Sequence, residues 1–148
     1  MSQPIRIVVA SDHAGFELKN ELAEGLRELK YEVTDIGATS TDPSDFPDFA
    51  HSAALGVQSG KFDRGILVDG TGVGMAITAN RYRGVRAANC SDVFSSRYSR
   101  AHHDANVLTL GARVVGVGLA WEIVNVWLQT PFSGGDRHVR RLGKIEKG

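Results

Sequence analysis

Short β-branched runs alternate with amphipathic segments along the length of this chain, and few folds accommodate that alternation. Residues 5–10, 32–36, 66–68, 84–88 and 106–110 read as short strands, with 5–10 and 66–68 apolar enough to be buried. Between them, residues 16–30, 48–59, 75–80, 92–102 and 119–128 carry apolar side chains near helical spacing, and a basic stretch at 137–147 predicts a closing helix. The pattern predicts an α/β architecture, a doubly wound five-stranded parallel sheet with helices on both faces. All 148 residues fit one domain.

In such sheets ligands bind beyond the carboxyl ends of the strands. The polar residues with chemical potential follow strands one, three and five. Asp12 and His13 follow the first, Asp69-Gly70-Thr71-Gly72-Val73-Gly74 the third, and Arg113 the fifth. The glycine-rich turn offers backbone N–H groups to an oxyanion or phosphate, with Asp69 at its lip as an acid–base candidate. Each feature also has a plain structural reading. Asp69 is suited to capping the tight turn that follows it and Asp12 to capping the following helix, and His102-His103 to closing a helix end. Arg137 and Arg141, four apart on one helical face, suit either a solvated tail or a fork for phosphate.

Charge and composition narrow the classes. Seventeen basic residues balance seventeen acidic ones, so no global charge draws the chain to nucleic acid or membrane. The one cysteine, Cys90, excludes an internal disulfide and a cysteine metal cluster, and reads as a packed thiol in a reducing, cytoplasmic protein. No carboxylate–histidine spacing suggests zinc, and the glycine turn fits neither the dinucleotide fingerprint nor the Walker loop. We expect no metal and no cofactor. The very apolar segment 119–128 needs more than one covering partner, which suggests a subunit interface.

Read in order, the segments Ser11-Asp12-His13-Ala14-Gly15, Asp45-Phe46-Pro47-Asp48-Phe49-Ala50, Gly70-Thr71-Gly72-Val73-Gly74-Met75 and Gly111-Ala112-Arg113 resemble the ribose-5-phosphate isomerase B family, which includes galactose-6-phosphate isomerase. The resemblance spans nearly the whole chain. It implies a Rossmann-like, metal-free aldose–ketose isomerase of phosphorylated sugars, working through an enediolate. It also implies a homodimer or larger homo-oligomer whose active sites are shared between subunits. In the family, the residue matching His102 helps open the sugar ring and that matching Thr71 assists proton handling. Those matching His13, Arg113, Arg137 and Arg141 gather around the phosphate.

Several positions depart from the family pattern. Asp69 stands where a cysteine base is usual, and Met75 where another branch has a glutamate base. Phe46 replaces a tyrosine, His103 an asparagine, and Asp136 is an extra residue before Arg137-His138. We therefore expect Asp69 to act as the base, assisted by Thr71 and His102. Substrate contacts are expected from Asp12, His13, Phe46, Gly70, Gly72, Val73, Gly74, His103, Arg113, Arg137 and Arg141. Ribose 5-phosphate is the default substrate of the family. A six-carbon or four-carbon sugar phosphate, or binding without turnover, are the alternatives these departures leave open.

Overall fold

The computed structural model describes residues 3–147. Five strands, β1 (Arg6–Ser11), β2 (Glu32–Asp35), β3 (Arg64–Asp69), β4 (Ala87–Asn89) and β5 (Val107–Gly111), alternate with α1 (Phe16–Glu28), α2 (Phe46–Gln58), α3 (Val73–Ala79), α4 (Val93–Ala101) and α5 (Val117–Gln129). A last helix, α6 (Asp136–Glu146), closes the chain. All pairings are parallel, in the order β2-β1-β3-β5-β4. This is the expected doubly wound, Rossmann-like sheet.

Alternating side chains divide the core between the two faces. Ile7, Val9, Ile66, Val68, Leu108 and Leu110 meet Leu22 and Leu26 of α1 and Ile123 and Trp127 of α5. Val8, Ala10, Leu67 and Val107 meet Ala50, Ala53 and Ala54 of α2 and Met75 and Ala79 of α3. Because β1, β3 and β5 are covered on both faces, their sequences are continuous apolar runs.

The strand expected at 84–88 begins later. Gly84 has φ +85°, and the Val85 N–H closes a turn onto the Tyr82 carbonyl at 3.0 Å, so pairing with β5 starts only at Ala87. Just before the strand the Arg86 N–H goes to the Asn106 side chain, and the Asn80 amide pairs both backbone groups of Ala87. The apolar circumference of α5 is covered largely within the chain. The sheet takes one side, Trp121 lies against Gly25 of α1, and the Ser96 hydroxyl of α4 donates to the Ile123 carbonyl at 2.8 Å.

The α6 helix is held differently. Its one buried residue is His138, while Val139 and Ile145 stand exposed and Leu142 half-buried. At its far end, Glu146 reaches Arg86 at 3.4 Å and the Gly84 N–H at 3.1 Å. Among the described residues no helix is long and apolar enough to cross a membrane.

Candidate active site

The carboxyl ends of β1, β3 and β5 do converge. Ser11 is opposite Val68 in register and Asp69 opposite Gly111, so Asp12 and Asp69 stand at neighbouring strand ends. Asp12 Oδ1 accepts the N–H groups of Ala14 and Gly15 at 2.9 and 3.2 Å, so it closes the turn ahead of α1 and does not cap the helix itself, whose N-cap is Gly15. Arg113 donates its backbone N–H to the Gly70 carbonyl at 3.1 Å, and its guanidinium hangs beside Gly70 with no carboxylate paired to it among the described residues.

Asp69 is buried at this rim, 5% exposed. Its Oδ1 accepts the Gly72 N–H, the turn-capping bond expected of a carboxylate at this place. Burial pushes the carboxyl above its ordinary value; the Gly72 N–H opposes that shift, and the charge of Asp12 adds to it. Gly72 must be glycine, because its φ is +83° and a Cβ would run into the Asn89 amide. The Val73 N–H is taken by the Thr71 Oγ1 at 3.2 Å, which leaves the exposed Thr71 hydroxyl its proton to donate. Two of the loop amides are therefore engaged within the loop itself. The Phe46 ring lies against Gly74, roofing the turn from α2.

The other expected residues lie elsewhere. His102 caps α4, and His103 follows it, both before β5 begins. They sit at the amino end of the sheet, while Asp69 sits at the carboxyl end. Five residues of β5 separate the two edges, roughly 15 Å at ~3.3 Å per residue. His102 stacks on His138 with ring centroids 4.3 Å apart, and Tyr98 packs against it in a tilted arrangement at 4.7 Å. Arg137 and Arg141 project from the same helix as His138, exposed and, among the described residues, without carboxylate partners. One chain thus carries two groups of chemical residues, Asp12–His13–Phe46–Asp69–Arg113 at one edge and His102–His103–Arg137–Arg141 at the other.

Sequence reasoning passed over His138. Burial holds its imidazole below the ordinary value, and His102, Arg137 and Arg141 push the same way; its ring is the platform on which His102 stacks. Its only signal was its place beside Arg137. Cys90 is buried as expected, and burial raises its thiol to about 11, which removes it as a nucleophile. Among the described residues no group of three or more histidine, cysteine or acidic side chains could hold a metal ion.

Residues 7–145 match the family described as Ribose/Galactose Isomerase. The chain is 46% identical over 140 residues to ribose-5-phosphate isomerase B of Escherichia coli (strain K12), covering 95% of this chain and 93% of that one. It is 41% identical over 145 residues to a D-erythrulose-4-phosphate isomerase of Pectobacterium atrosepticum, covering 96% and 95%. Among solved structures, the Clostridium thermocellum ribose-5-phosphate isomerase B superposes with a TM-score of 0.95 at 48% identity, covering 97% of this chain and 96% of that one.

Proposed function

Since this chain belongs to the ribose/galactose isomerase family, as a sugar-phosphate isomerase of the ribose-5-phosphate isomerase B type, we propose that it interconverts ribose 5-phosphate and ribulose 5-phosphate with Asp69 as the base. The observation that carries the reading is the state of Asp69: a buried carboxylate, made more basic by burial, at the lip of a glycine turn. Such a group accepts the C2 proton of the opened sugar more readily than a solvated aspartate does. As the proton leaves, negative charge grows on the C1 oxygen. Amides of the Gly70–Gly74 loop not engaged internally, together with the Thr71 hydroxyl, are the donors that meet it. The same carboxyl then returns the proton to C1 while the O2 hydroxyl proton passes to O1 through the Thr71 hydroxyl, so both protons are accounted for and no cofactor is needed. His13 and Arg113 hold the phosphate at this edge.

The second group of residues completes the site from another copy of the chain. His102 opens the ring, His103 contacts the sugar, and Arg137 and Arg141 close on the phosphate, all from the partner subunit of a homo-oligomer. The separation of His102 and His103 from Asp69 along β5 within one chain supports that arrangement. The exposed Val139 and Ile145 on α6 give the second copy an apolar edge to cover.

A four-carbon substrate is the second reading. It is favoured by the Phe46 ring against Gly74, which narrows the turn without offering a hydroxyl, and by the likeness to the Pectobacterium enzyme. Deuterium exchange from solvent into a panel of sugar phosphates, followed by NMR, tests both. Exchange at C2 of ribose 5-phosphate, abolished in Asp69→Asn, is the expected result. Exchange only into erythrulose 4-phosphate would move the substrate and keep the base. No exchange into any sugar would leave a binding protein.

A further inference from the structure

The loop between β2 and α2 makes contacts that neither the base nor the arginines explain. The His13 N–H donates to the Ser44 Oγ at 3.0 Å, and the Ser44 N–H donates to His13 Nδ1 at 3.1 Å. The two residues are 31 apart in sequence and clasp each other through two opposed bonds. A backbone N–H can only donate, so His13 Nδ1 must present its lone pair. The proton of the neutral ring then has one place left, Nε2.

The clasp rests on a braced loop. At its start, the Ser11 N–H donates to the Gly37 carbonyl and the Ala38 N–H to the Ser11 carbonyl, each at 2.8 Å. Lys19, 2% exposed, holds the same corner, with Nζ 2.8 Å from the Ala38 carbonyl and 2.9 Å from Asp35 Oδ2. On the other side, Asp12 fixes the turn that carries His13 by accepting from Ala14 and Gly15. Both backbones are held, so the imidazole cannot exchange its nitrogens without breaking a bond.

We propose that Ser44 is a positioning residue that fixes His13 as its Nε2–H tautomer, so that the half-buried ring meets the sugar phosphate as a hydrogen-bond donor. A neutral imidazole in the other tautomer would turn a lone pair on the anion and repel it. This proposal rests on the reading of His13 as a phosphate contact. The backbone N–H of Ser44 works through His13 and touches no reacting atom.

Long-range proton–nitrogen NMR on the labelled full-length protein reads the tautomer directly, with and without inorganic phosphate. Wild type should show His13 neutral and protonated at Nε2. Ser44→Pro, which removes the N–H that meets Nδ1, should show averaged ring nitrogens and raise KM for the phosphorylated sugar about 3- to 10-fold, the range one hydrogen bond supplies, with kcat nearly kept. Ser44→Ala, which keeps that N–H and loses only the hydroxyl, should keep the Nε2 proton and KM. A proton on Nδ1 in wild type, or a Ser44→Pro protein with unchanged tautomer and KM, would overturn the proposal. His13→Ala separates the two ideas: unchanged KM there removes His13 from the phosphate, while the tautomer spectra still decide whether Ser44 sets the ring.

Discussion

At Asp69 two opposing effects act on one carboxylate. Burial disfavours its charge and the Gly72 N–H favours it, and burial wins, with help from Asp12. A group whose folded value is raised holds its proton where the unfolded chain has already lost it. Its contribution to stability is therefore present at acid pH and is lost as pH rises from the ordinary carboxylate value through the raised one. Asp69→Asn keeps an oxygen for the Gly72 N–H and removes the buried charge. We expect turnover to fall about 10²- to 10⁴-fold, the usual cost of losing a general base. The same protein should be more stable than wild type at neutral pH, with the gap closing in acid, as measured by urea unfolding at both. A variant less stable at neutral pH would mean that the Gly72 bond outweighs burial. Asp12→Asn asks a related question, since asparagine can still accept from Ala14 and Gly15. With the charge of Asp12 gone, the acid limb of kcat/KM should move to lower pH. A limb that stays in place would show that Asp12 does not act on the base.

The elements around the site show what was legible in the sequence and what was not. The strands β1, β3 and β5 were readable to within a few residues, because burial on both faces writes itself as an unbroken apolar run. The three residues of β4 carry no such signal; their pairing is set by β5 and by Asn80 and Asn106 from outside the strand. The burial of His138 was equally hidden, since it depends on contact with a histidine in another helix. Glycine spacing, in contrast, reported a real constraint. A Cβ on Gly111 would lie 2.6 Å from the Thr71 carbonyl group, a backbone neighbour that cannot rotate away. Gly111→Ala should cost about 1–3 kcal/mol, as overpacking does, and displace the turn that holds Thr71. Gly118 lies in α5 with nothing near its Cβ position. Gly118→Ala should stabilise by roughly 0.5–1 kcal/mol through helix propensity. Equal responses of the two variants in a denaturant titration would show that the contact at Gly111 has no consequence.

At the scale of the molecule, parallel topology decides where the candidate residues go. A helix that follows one strand and precedes the next returns the chain to the amino end of the sheet, so His102 and His103 cannot share an edge with Asp69. A site that needs both groups must be built between two copies. Symmetry then fixes the outcome of a mixing experiment. A dimer of identical chains related by a two-fold axis has two equivalent sites, each taking one group from either subunit. Asp69→Asn and the double variant Arg137→Ala/Arg141→Ala should each be nearly inactive alone. In a mixed dimer one site receives both lesions and the other receives neither. Random exchange of equal amounts makes half the dimers mixed, so activity should return to about a quarter of wild type. Sedimentation should find no stable monomer at micromolar concentration, and mass spectrometry of the mixture should show the mixed dimer. A mixed dimer that is present but silent would place both groups of residues in the service of one chain, and the shared site would be wrong.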